Sequence, residues 1–240
     1  MIILITGGAS GLGKSITELL CSEKENKIYF TYSKSDKAAL EIENKFSNAK
    51  GIKCDFNNHE EVESLSVQIK NLNIDALVNN AISGNIHKQH FHKNDLQNFQ
   101  NDFLNNLMPV IKINQQAILV FRKKKFGKII TILSSAIINK PPIGWSEYTA
   151  GKAYLHSLSK SWAVENSNFN ITSNCISPSF MATALTSDTD ERMVEEMILN
   201  HPLKKILTTN EVAETVNYFV NCSQQVNGVN FIINAASDIV

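Results

Sequence analysis

Tyr148 and Lys152 stand four positions apart in the segment YTAGK. On a helix that spacing puts both side chains on one face. An ammonium beside a phenol favours the phenolate and draws the phenol down from its ordinary pKa of about 10. Such a pair can pass a proton to an oxygen that is gaining charge. Carbonyl reduction needs that donor, because hydride arriving at carbon leaves an alkoxide. The same spacing also fits an ordinary exposed Tyr–Lys pair, so its meaning depends on what surrounds it.

A hydroxyl is available nearby. Ser135 closes the apolar run KIITILSS, thirteen residues before Tyr148, and would emerge at a strand end to hydrogen-bond a substrate oxygen. Ser134 competes for the role. Alternation along a strand sends one of the two serines to each face, and the spacing to Tyr148 favours Ser135.

Residues 6–15, TGGASGLGKS, follow an apolar run and open a helical one. Glycines there let the backbone approach phosphates, and a helix N-terminus offers free N–H groups and a positive dipole. Two motifs overlap in this loop. Gly8, Gly13, Lys14 and Ser15 satisfy the nucleoside-triphosphate P-loop pattern. Thr6, Gly7, Gly11 and Gly13 satisfy the dinucleotide pattern T-G-x-x-x-G-x-G. A P-loop protein also needs an acid at a second strand end to hold magnesium. The candidate strand DALVNN ends instead in Asn79 and Asn80, with Asp75 at its far end. That observation and the Tyr–Lys pair favour the dinucleotide reading.

The elements that must position these groups follow from periodicity. Short β-branched runs at 2–6, 27–32, 50–55, 76–80, 128–134, 170–177 and 229–234 alternate with helical stretches near 11–24, 35–47, 58–72, 94–124, 146–168, 187–198 and 209–222. This rhythm predicts an α/β fold: one Rossmann-like domain, a doubly wound seven-stranded parallel sheet with helices on both faces. There is no linker, so residues 1–240 read as one domain. The cofactor half covers about 1–135, and the catalytic and substrate-lid half about 135–240. Gly and Pro gather at strand ends, and ligands of such sheets bind outside the carboxyl ends of the strands.

Composition narrows the classes. With 43% hydrophobic residues the chain can bury a sizeable core. Lys plus Arg and Asp plus Glu number 23 each, a balance that gives no support for a nucleic-acid or membrane partner. Cys21, Cys54, Cys175 and Cys222 form no C-x-x-C pair and lie in or beside apolar runs, which suits reduced thiols in the cytoplasm. The opening MIILITGG lacks the charged start of a signal peptide, and no apolar run approaches a membrane span.

Taken together, these motifs resemble the short-chain dehydrogenase/reductase family, and within it the 3-oxoacyl-carrier-protein reductases, over nearly the whole chain. The resemblance implies that Gly7, Ser10, Gly11, Leu12 and Gly13 form the cofactor loop. It implies that Asp55 and Phe56 meet the adenine and that Asn80 and Ala81, in an N-N-A-G-like stretch, lie by the nicotinamide ribose. Pro178, Met181 and Thr183, in SPSFMAT, would hold the nicotinamide amide. Asn106, with Asn105 as its neighbouring rival, would complete a catalytic set with Ser135, Tyr148 and Lys152 and hold a water linking Lys152 to solvent. Ile82 and Ser179 stand where the family carries glycine. The resemblance also implies a homo-oligomer, tetramer or dimer, built on the helices carrying Asn106 and Tyr148 and on the last strand. The substrate would be a small carbonyl or alcohol, free or carrier-bound.

The second strand ends FTYSKS with no Asp or Glu to hold a ribose 2′-hydroxyl. Ser33 and Lys34 suit a 2′-phosphate instead, so the cofactor reads as NADP(H). A non-catalytic NADP-binding sensor is the runner-up, kept open by Ile82 and Ser179. His87, His90 and His92 form a polar loop with no nearby Cys, and an exposed loop is preferred over a metal site. Residues 180–202 are expected to form a partly apolar substrate lid.

Overall fold

The computed structural model describes residues 1–84, 88–138, 140–183, 186 and 189–237. His87 lies outside the described residues.

Seven parallel strands form one sheet: β1 (Ile2–Ile5), β2 (Lys27–Tyr32), β3 (Ala49–Lys53), β4 (Ala76–Asn79), β5 (Gly127–Ile132), β6 (Ile171–Pro178) and β7 (Asn230–Ile233). Their spatial order is β3-β2-β1-β4-β5-β6-β7, every pairing parallel. The order reverses between β1 and β4, the switch point at which this architecture opens a crevice for ligands.

The helices are α1 (Gly11–Ser22), α2 (Asp36–Lys45), α3 (His59–Leu72), α4 (Leu96–Asp102), α5 (Met108–Lys124), α6 (Ser146–Asn166), α7 (Glu191–Asn200) and α8 (Thr209–Asn221). Strand alternation divides the core between the two faces of the sheet. Ile3 and Ile5 of β1 pack with Ile16 and Leu20 of α1 and Val216 and Phe219 of α8. Leu4, between them, packs on the opposite face with Leu65 and Ile69 of α3 and Ile113 and Phe121 of α5.

The stretch expected as one helix over 94–124 is broken. A π turn, Phe103–Leu107, separates α4 from α5, and the Met108 N–H donates to Phe103 O. Pro109 supplies the reason. It has no N–H to return to Asn105 O, and its ring crowds that carbonyl, so the helix widens just before it. The widened turn carries Asn106.

Candidate active site

The cleft at the carboxyl ends of the strands, about 1070 Å³, is lined from both halves of the chain. Its floor is the glycine loop. Gly7 takes a left-handed φ of +67°, and its N–H donates to Thr31 Oγ1 at 2.9 Å. A side chain at Gly13 would collide with Gly7 O and stand 2.6 Å from Asn80 Nδ2. The loop is therefore a bare backbone cradle at the N-terminus of α1. Asn80 braces it, with Nδ2 donating to Thr6 O at 3.0 Å and Gly7 O at 3.2 Å. Thr6 Oγ1 in turn accepts from the Asn80 and Ala81 N–H groups, each at 3.0 Å.

Lys14 and Ser15, which the P-loop reading requires, do not line the cleft. The Ser15 hydroxyl donates to Thr209 Oγ1 of α8 at 2.7 Å, and Lys14 lies 3.9 Å from Glu18 on its own helix. Both point away from where phosphates would sit, and the structure disfavours that reading.

Ser10, Gly11 and Leu12 join Gly7 and Gly13 along the cleft, as do Ser33, Lys34, Asp55, Phe56, Asn80 and Ala81. Asp55 accepts from the Asn57 N–H at 3.0 Å. That bond, the Ser33 hydroxyl and the Lys34 charge hold its carboxyl below the usual range. Pro178, Met181 and Thr183 form the opposite wall.

Ser135, Tyr148 and Lys152 also line the cleft. Yet the serine whose side chain acts on the Tyr148 phenol is Ser134, not Ser135. The reason is local. β5 stops at Ile132, Leu133 is tied down through its N–H to Ile176 O, and Ser134 is the last extended residue. Ser135 already belongs to the 3₁₀ turn Ser135–Ile137, which Ser134 caps by accepting from the Ala136 N–H at 3.2 Å. A loop follows, and no periodicity fixes its length, so counting back from Tyr148 could not choose between the two serines.

A second correction concerns Tyr148 itself. Its pKa is raised, chiefly by burial, with the Ser134 bond acting in the opposite direction. Lys152 Nζ lies 5.7 Å from the Tyr148 ring centroid and donates to Ile132 O at 2.8 Å. Desolvation deep in the cleft pushes Lys152 down to about 8. Burial thus outweighs the expected pull of the ammonium, and the phenol stays protonated at neutral pH. Trp145 packs edge-on against the Tyr148 ring at 5.5 Å, a neighbour the sequence reading did not single out.

Asn106 does not line the cleft. Its Nδ2 donates to Ser83 O at 3.2 Å and Asp102 Oδ1 at 2.9 Å, while its Oδ1 accepts from the Ser83 N–H. The carboxamide therefore braces the turn after β4 rather than reaching toward Lys152. Asn79, the last residue of β4, is buried and bonded to Asn114 and Thr131, tying β4 to α5 and β5.

Residues 1–194 match the family model for short chain dehydrogenases. The chain belongs to that family. It is 29% identical over 235 residues to a 3-oxoacyl-[acyl-carrier-protein] reductase of Buchnera aphidicola, covering 96% of this chain and 92% of that protein. It is 30% identical over 222 residues to carbonyl reductase family member 4 of Xenopus laevis, covering 91% and 90%. Among solved structures, one provisionally assigned as a beta-ketoacyl-ACP reductase superposes with a TM-score of 0.84 at 25% identity, covering 98% of this chain and 96% of that one. A gluconate dehydrogenase, likewise provisional, from Agrobacterium tumefaciens gives 0.88 at 20% identity over 100% and 96%. This short-chain dehydrogenase is accordingly an oxidoreductase with the Rossmann-like fold its sequence predicts.

Among the described residues of this short-chain dehydrogenase no group of three His, Cys, Asp or Glu could hold a metal ion, and no helix is long and apolar enough to cross a membrane.

Proposed function

We propose that the chain is an NADP(H)-dependent ketoreductase acting on 3-oxoacyl-type carbonyl substrates, free or carrier-bound. The observation that carries the reading is the convergence of Ser134, Tyr148 and Lys152 in the cleft that the glycine cradle opens.

The residues present fit a nicotinamide dinucleotide. The Gly7–Gly13 loop closes at the N-terminus of α1 only because Gly13 has no Cβ to strike Gly7 O and Asn80, and that backbone cradle suits a pyrophosphate. On the opposite wall the Ser179 hydroxyl is buried without a partner among the described residues, a donor suited to a carboxamide. Pro178, Met181 and Thr183 would hold the same end, and Asp55 and Phe56 the adenine. When bound, the nicotinamide supplies the hydride. In support of NADP(H), Ser33 and Lys34 stand past the end of β2, and the first acid after that strand, Asp36 at the start of α2, is paired with Lys53 at 2.8 Å. A 2′-phosphate there would meet a hydroxyl and a cation.

The chain's own part is proton transfer. Ser134 and Tyr148 would both hydrogen-bond the carbonyl oxygen, fixing its carbon toward the cofactor wall. Tyr148, protonated at neutral pH, donates to the forming alkoxide. Lys152 balances the phenolate left behind. A phenol held protonated suits reduction better than alcohol oxidation. The remaining wall carries Ile143, Phe180, Met193 and Met197, suited to an acyl chain, beside the polar Lys88, Lys140 and Asp190.

Leu104 in the π turn, Met108 at the start of α5, and Tyr154 and Val164 on α6 are exposed, in keeping with a homo-oligomer built on these helices. Four free cysteines suit a cytoplasmic location. The test is steady-state kinetics with a 3-oxoacyl thioester and each cofactor. The reading expects turnover and a lower KM for NADPH than for NADH. Binding of NADPH with no turnover of any carbonyl would make the chain a sensor instead.

A further inference from the structure

Asp102 ends α4, one turn before Asn106, and the reaction derived above does not use it. Its Oδ1 accepts from Asn106 Nδ2 at 2.9 Å. Its Oδ2 packs against α6, where a Cβ added at buried Gly151 would stand only 3.0 Å away. Gly151 is the residue before Lys152. A carboxylate thus reaches from α4 onto the helix of the Tyr–Lys pair, bonded to Asn106 and abutting Gly151, the neighbour of Lys152.

The charged and titratable groups acting on Lys152 are Asp102 from α4, Cys175 from β6 and Tyr148 on its own helix. The Cys175 thiol is pushed up to about 11 by burial, and the Tyr148 phenol is raised as well, so both are neutral near pH 7. Asp102 is the anion of the set.

We propose that Asp102 is a positioning residue of this site, orienting the Asn106 carboxamide and serving as the counter-charge that keeps Lys152 an ammonium. Its catalytic meaning rests on the ketoreductase reading; its geometry does not. Burial drives Lys152 toward the neutral amine, and Asp102 opposes that drive. A neutral lysine could not balance a forming phenolate. Gly151 fits the same logic, since a side chain there would press on the carboxylate.

The test is a pH titration of the full-length protein, without ligand, with ¹³C-labelled lysine side chains, the Lys152 signal assigned through Lys152→Met. Asp102→Asn keeps an oxygen for Asn106 Nδ2 and removes the charge. The Lys152 midpoint, near 8 in the parent, is expected to move to lower pH in Asp102→Asn and return in Asp102→Glu. With a 3-oxoacyl thioester and NADPH, the ratio of kcat/KM at about pH 8.5 to that at about pH 6.5 should fall at least ~3-fold in Asp102→Asn. A Lys152 midpoint unchanged in folded Asp102→Asn overturns the proposal. Asp102→Ala gives the same reading should the isosteric variant fold poorly. A shifted midpoint in a protein whose parent reduces no carbonyl leaves the Asp102 assignment standing and removes the ketoreductase reading.

Discussion

Ser134, the last extended residue after β5, sets its side chain against the phenol of Tyr148 on the first turn of α6. This contact joins the strand edge to the helix that carries the proposed proton donor. In the proposed reaction both hydroxyls would donate to the substrate's carbonyl oxygen. Ser134→Ala is therefore expected to lower kcat/KM by ~10²–10³-fold, the usual cost of losing one preorganised donor. Ser135→Ala, which removes a hydroxyl from the following turn, should stay within ~3-fold. Steady-state rates for the two variants separate these roles, and the reverse ranking would restore Ser135.

Lys152 is held near 8 against an ordinary 10.5, mainly by desolvation. Between those values the unfolded chain binds the proton that the folded one has released, so stability rises with pH through that window. Below about pH 8 both states are protonated and the cost of burying the charge is fully present. It amounts to at most about 3 kcal/mol. Lys152→Met should then be at least as stable as the parent at pH 7, and the parent should gain on it between pH 8 and 10.5. Thermal melts across pH check the sign; a parent that loses ground over that range contradicts it.

Ser179 offers a prediction of opposite sign in two states. Its hydroxyl is buried without a partner among the described residues, which costs the free protein ~1–3 kcal/mol. Ser179→Ala is expected to raise Tm without cofactor and to weaken NADPH binding several-fold by calorimetry. A variant that binds NADPH as the parent does would show that the hydroxyl faces no ligand.

Much of this was legible in the sequence for identifiable reasons. Strands such as β1 (IILI) and β5 (GKIITI) are rich in β-branched residues, and the period of the strands differs from that of the helices between them. The glycine cradle is local, so Gly7, Gly11 and Gly13 could be read in order along the chain. Long-range electrostatics were less legible. Tyr148 and Lys152 do share a helix face, yet the balance between burial and charge depends on what α4, β5 and β6 place around them. The break before α5 had a signal in Pro109, which removes one helical hydrogen bond and moves Asn106 into a widened turn. Periodicity carried the expected helix straight through that proline. Ser134 and Ser135 could not be separated by counting, because the loop from Ile138 to Trp145 has no repeat of its own.

The most direct test of the account is Tyr148→Phe, measured for NADPH affinity and for turnover of a 3-oxoacyl thioester on the same preparation. The ring keeps its packing on Trp145 and loses only the hydroxyl. The account predicts an NADPH dissociation constant within ~3-fold of the parent and kcat lower by ~10²–10⁴-fold. A variant that turns over near the parental rate would contradict it.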